Sequence, residues 1–271
     1  MKVQFCANET ASNPISKSVV LSPIPTKDSL GYHKALAAQW ALVPNPKLPT
    51  VLIIGDSIPL GYTLLVRQQL RDVADVYHPM NRVGDTPANF GPTGRGLQNL
   101  GSWLGETSSQ VIVFNFGLQD LEWHDASGKY VPPGQGRQNA PPDLYEKNLS
   151  QIVARLQKTG AKLIWATTTP VPANPMARAQ GDELVYNKVA AKVMTENTIA
   201  IDDLCAAVTP HYAELQHSPN NVHFNDEGYR VLAASVVESV TQALTSASAS
   251  SLRHEAAFVN NADPCGFVKK L

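Results

Sequence analysis

Val51-Leu52-Ile53-Ile54-Gly55-Asp56-Ser57-Ile58 is the stretch on which the reading of this chain turns. Four consecutive apolar residues suit a strand buried on both faces. Gly-Asp-Ser ends the run, and residues 60–71 then carry the spacing of an amphipathic helix. A serine at such a strand-to-helix turn stands with its hydroxyl outside the sheet. Helix N-terminal amides there can stabilise a developing negative charge. Far along the chain a second turn of this kind is expected, where Asn220-Asn221-Val222-His223 precedes the helix start Asn225-Asp226-Glu227-Gly228-Tyr229.

Working outward, strand-like runs at 51–55, 73–78, 111–117, 162–168 and 198–202 alternate with helical patterns at 60–71, 94–105, 143–159, 182–197 and 226–244. Alternation of this kind predicts an α/β domain: a five-stranded parallel sheet with helices on both faces. Ligands bind such sheets at the carboxyl ends of the strands, where Ser57, Gly117 and Thr168 are expected. The domain is expected over 50–245, after a Ser/Thr/Pro-rich extension (1–49) with a short helix at 30–42 bearing Leu36 and Trp40. Residues 246–271, opening on a Ser/Ala stretch, read as a linker and tail.

The 271 residues are 43% hydrophobic, enough for a large core, and the formal net charge of -1 offers no basic footprint for nucleic acid. A small ligand is the expected partner. No apolar run approaches the length needed to span a bilayer. The N-terminal residues lack the apolar core of a secretory signal, which fits a cytoplasmic protein or a mature secreted form. Of three cysteines, Cys205 reads as a buried small hydrophobe, while Cys6 and Cys265, in the two extensions, are candidates for a disulfide. Asn8 and Asn148 head weak glycosylation triplets. His124, His211 and His217 read as loop or surface residues, and no metal or cofactor is expected.

At these junctions the chain resembles the SGNH (GDSL-type) hydrolase superfamily over about residues 50–245. Gly55-Asp56-Ser57 is similar to the family's first block, whose serine is the nucleophile. Asn89-Phe90-Gly91-Pro92-Thr93 resembles the second, which supplies a glycine amide to the oxyanion hole; Gly91 is the candidate, with Gly84 and Gly94 as competitors. Gly117-Leu118-Gln119-Asp120 stands for the third block and Asn220-Asn221-Val222-His223 for the fifth. The resemblance implies a flavodoxin-like three-layer fold and a serine esterase acting on a small-molecule ester. Ser57, His223 and Asn220 would be its catalytic set, and Ser57, Gly91 and Gln119 its oxyanion donors. Asp56 and Asp120 are expected to hold loops by accepting backbone N–H bonds.

Two departures fall on that machinery. Gln119 stands where the family places an asparagine, and keeps the NH2 donor on a stem one methylene longer. Asn220 stands where an aspartate is expected; its oxygen can accept the imidazole N–H but brings no negative charge. The chain could therefore run as a Ser-His dyad, recruit Asp202, Asp203 or Asp226, or be slow. The expected function is hydrolysis of a small acyl ester on a carbohydrate or similar polar alcohol. The alternatives are a catalytically impaired binding protein of the same fold, or a lipase or thioesterase. Residues 121–142 and 169–182 are expected to form loops walling the pocket.

Overall fold

The structure, a computed structural model, describes residues 36–105, 108–173 and 175–260, with side chains to residue 246. Five strands form one parallel sheet: β1 (Thr50–Ile54), β2 (Asp75–Tyr77), β3 (Val111–Phe114), β6 (Lys162–Ala166) and β7 (Ala200–Asp202), in the order β2-β1-β3-β6-β7. The register pairs Ile54 with Phe114 and Phe114 with Trp165, so the carboxyl ends of the three central strands lie level. All of Val51–Ile54 and Val111–Phe114 is buried, as continuous apolar runs require. A two-stranded antiparallel ribbon, β4 (Trp123–His124) and β5 (Arg137–Gln138), lies within the loop after β3.

The strand order reverses at β1. The chain steps outward from β1 to β2, then returns to β3 on the other side, opening a crevice between the ends of β1 and β3. The first strand leads into α1 (Ser57–Gln69), and the third leads to Gln119. Helices cover both faces. α1 packs on α7 (Asp226–Asn260), whereas α2 (Thr93–Leu104), α3 (Pro142–Gln157) and α4 (Asp182–Glu196) pack in succession. Gly61 permits the first contact, since a Cβ there would overlap the Tyr229 ring. Two short helices, α5 (Leu204–Val208) and α6 (Tyr212–Leu215), lead into the loop bearing His223.

Two boundaries differ from expectation. The last helix continues through the Ser/Ala stretch to Asn260, because 245–260 holds neither glycine nor proline and alanine favours helix. At the other end, residues 36–40 are helical and Trp40 is buried. The rest of the expected helix, Asn8 and the Cys6–Cys265 pair lie outside the described residues. Asn148 is buried and donates to Thr93 Oγ1 at 3.1 Å, so its triplet is closed to glycosylation. Cys205 is buried, and burial pushes its thiol up to about 11. Among the described residues no helix is long and apolar enough to cross a membrane.

Candidate active site

Asp56 caps α1 by accepting from the Ile58 N–H at 2.9 Å, which fixes the turn presenting Ser57 at the first helical position. The Ser57 amide is thereby one of the helix N-terminal N–H groups with no intrahelical acceptor. Opposite it, Asn225 starts α7, accepting from Gly228 N–H at 2.9 Å and donating to the Glu214 carbonyl at 2.7 Å. The loop between is closed by His217 N–H to the His223 carbonyl, 2.9 Å. Together these anchors bring His223 Nε2 to 2.8 Å from Ser57 Oγ, across 166 residues of sequence.

The residue behind the imidazole is Asn221, correcting the expectation of Asn220. Asn221 Oδ1 lies 2.9 Å from His223 Nδ1 and also accepts the His223 backbone N–H at 3.0 Å. A backbone N–H can only donate, so the carboxamide oxygen, not its NH2, faces the ring. Nδ1 must then carry the proton, which leaves the Nε2 lone pair to accept from the serine hydroxyl. Asn220 is exposed with φ of 65°, at the tip of the preceding turn. The backbone there is left-handed, a conformation that asparagine tolerates.

The three carboxylates that could stand in place of the absent acid do not reach the imidazole side: two are engaged elsewhere and one is exposed. Asp202 Oδ1 accepts from Ser235 Oγ at 2.5 Å, Asp203 Oδ1 caps α5 through Ala206 N–H at 3.0 Å, and Asp226 is exposed. Burial, the Arg178 guanidinium and His217 all hold the His223 pKa below the ordinary imidazole value. The imidazole is therefore neutral, and able to take a proton, to lower pH than a free histidine.

On the other side of the crevice, Phe90 N–H donates to the Gly55 carbonyl at 3.0 Å and ties the second block to the serine turn. Gly91 adopts φ of 70°, and its N–H donates to Asn89 Oδ1 at 3.0 Å. The same oxygen accepts from Gln119 Nε2 at 3.0 Å. Gly91 is thus beside Gln119, but its single amide hydrogen is engaged. Gly84 lies in an exposed turn closed by Asn81, whereas Gly94 is the second residue of α2, where a helix N–H has no intrahelical acceptor. Asp120 Oδ1 accepts from both Thr93 N–H (2.8 Å) and Thr93 Oγ1 (2.5 Å), fixing the start of α2. Burial raises Asp120 to about 7 and Asp56 to about 6.

Sequence reasoning missed one cluster. Arg178, from the loop after β6, forms a close ion pair with buried Glu122 and donates to the Leu118 carbonyl at 2.8 Å. Trp123 N–H reaches the Ala177 carbonyl at 2.8 Å, and Asn139 Nδ2 reaches His124 Nε2 (3.1 Å) and the Gln119 carbonyl (2.7 Å). The two expected wall loops are therefore joined, and His124 belongs to their junction. No periodicity marks an arginine in a loop as a buried partner, and no other signal in the sequence singled it out. Among the described residues, no three His, Cys, Asp or Glu side chains are grouped to hold a metal.

The family described as GDSL-like Lipase/Acylhydrolase matches residues 53–231. No curated protein sequence matches the chain. Among solved structures, an acetyl xylan esterase superposes with a TM-score of 0.56 at 21% identity, covering 70% of this chain and 99% of its own. A lipase/acylhydrolase from Enterococcus faecalis gives 0.55 at 19%, covering 71% and 95%. An acetylxylan esterase from Geobacillus stearothermophilus gives 0.55 at 16%, covering 70% and 93%. At such identities the likeness carries the fold, while the family match spans well over half of the chain. By that match, this chain belongs to the GDSL-like lipase/acylhydrolase family and is an SGNH-type esterase.

Proposed function

We propose that the chain hydrolyses a carboxylic ester through an acyl-enzyme on Ser57, removing a small acyl group from a carbohydrate or other polar alcohol. The observation that carries this reading is the 2.8 Å contact between Ser57 Oγ and His223 Nε2. Within it, His223 takes the serine proton as Oγ attacks the carbonyl, and returns it to the leaving alcohol. Water then enters where the alcohol left, and the same base activates it against the acyl-enzyme. Asn221 keeps the imidazole in the working tautomer but adds no charge to stabilise the imidazolium, which favours a slow enzyme. The Ser57 amide, Gln119 and the Gly94 amide at the start of α2 are the donors for the oxyanion.

The substrate class rests on two supports. The groups around the Ser57–His223 pair are polar: Asn221 holds the imidazole, Asn89 is bonded to Gln119, and the Arg178 charge acts on His223. Several structural neighbours are acetyl xylan or acetyl-xylooligosaccharide esterases. Hydrolysis of p-nitrophenyl acetate by wild type and Ser57→Ala, prepared identically, is the test. Turnover by wild type alone is expected. Equal rates, with no Ser57-dependent labelling by a fluorophosphonate, would favour the binding-protein reading. Preference for octanoate over acetate would move the substrate to a lipid.

A further inference from the structure

Two groups that an oxyanion would meet converge instead on one side-chain oxygen. Gly91 N–H and Gln119 Nε2 each lie 3.0 Å from Asn89 Oδ1. A backbone N–H can only donate, so Gly91 obliges Asn89 to present its oxygen. That oxygen can only accept, so it obliges Gln119 to present its NH2 end. One main-chain hydrogen therefore sets the orientation of two carboxamides in series. Gly91 has one hydrogen and gives it to Asn89; the Gln119 amide has two and gives one, which leaves the second for another acceptor. The backbone of Gln119 is fixed independently, because its carbonyl accepts from Asn139 Nδ2 at 2.7 Å.

We infer that Asn89 is the positioning residue of the oxyanion hole, clamping Gln119 so that a glutamine can serve there. Glutamine has a longer stem and more rotamers than asparagine, and an unheld donor loses the preorganisation on which oxyanion stabilisation depends. The clamp removes that freedom. It also engages the Gly91 hydrogen, which leaves the Ser57 amide, the second Gln119 hydrogen and the Gly94 amide at the start of α2 to hold the oxyanion. The inference rests on the esterase reading above and deepens it.

A double-mutant cycle in ester hydrolysis tests it, with Asn89→Ala, Gln119→Ala and the double variant measured beside wild type and Ser57→Ala. Each single change is expected to lower kcat by about 10- to 100-fold with KM held within about twofold, part of the loss typical for an oxyanion donor. The double variant is expected to be no slower than Gln119→Ala, because the two residues act as one unit. Losses that multiply, in an enzyme whose activity depends on Ser57, would overturn the clamp alone. A faster Asn89→Ala would also overturn it, since Asn89 would then be blocking Gly91. Equal rates for wild type and Ser57→Ala would bring down the esterase reading and this inference with it. A measurement on wild type guards against a variant that does not fold. The Gln119 side-chain NH2, assigned in nitrogen–proton NMR spectra by its loss in Gln119→Ala, is expected to exchange with water more slowly than exposed glutamine amides. Exchange at their rate would overturn the clamp.

Discussion

At the scale of single residues, the decisive substitution is an amide for a carboxylate behind the imidazole. Asn221 supplies the hydrogen bond that selects the tautomer but not the charge that stabilises the imidazolium. Asn221→Asp is expected to raise kcat by about 10- to 100-fold, a fraction of the roughly 10⁴-fold lost on the reverse change in a serine protease. Asn220→Asp, at an exposed turn, is expected to leave it unchanged. A rate gain at 220 and not at 221 would refute the assignment. The pH profile carries a second signature. Catalysis needs the neutral imidazole, whose pKa is held below its ordinary value of about 6.5, so the acid limb of kcat/KM in wild type is expected below that pH. A carboxylate at 221 favours the protonated ring, so in Asn221→Asp the limb moves to higher pH.

At the scale of elements, the junctions at the ends of β1 and β3 rest on Asp56 and Asp120, both fully buried. Asp120 fixes the first turn of α2 through Thr93 and is raised to about 7, mainly by burial. The folded protein therefore holds this proton to higher pH than the unfolded chain does. Its contribution to stability is greatest below about 4 and declines as pH rises toward about 7, by up to about 4 kcal/mol. Asp120→Asn removes that titration. Between pH 5 and 8 the melting temperature of wild type is expected to fall more than that of the variant, as thermal melts at both pH values would read. Parallel curves would mean that Asp120 stays ionised in the fold. The helices and strands themselves were legible, since a buried run and a 3.6-residue period are local records of which face meets the core. The reach of α7 through Ser/Ala to Asn260 was not, because those residues fit either a helix or a linker.

At the scale of the molecule, the loops after β3 and β6 are fastened to each other by the Arg178–Glu122 pair, in which Glu122 is buried and Arg178 partly so. Removing one partner leaves a buried charge, so Arg178→Ala is expected to cost about 3–5 kcal/mol. Proteolysis within 121–142 should quicken at the same time. Arg178 also bears on His223, so its loss should move the acid limb of the rate profile upward. Unchanged stability and an unmoved limb would show that the pair does neither. The crevice these loops border follows from the strand order, which reverses at β1 and sets the serine turn beside the end of β3.

The sequence by itself determined the five strands and their covering helices, the junction that presents Ser57, and the partnership of Ser57 with His223. The elements and the Ser57 junction are written in runs of residues whose burial or turn chemistry is read locally, while the partnership of Ser57 with His223 is what the resemblance of the blocks implied. Only the tertiary structure decided that Asn221 rather than Asn220 stands behind the imidazole, that Asn89 takes the Gly91 hydrogen and turns Gln119, and that Arg178 meets Glu122. Those are hydrogen bonds between loops, and a hydrogen bond tolerates only a few tenths of an ångström and a narrow angle. Spacing along the chain records which face a residue shares. It does not record where a turn of φ 65° will leave the next side chain.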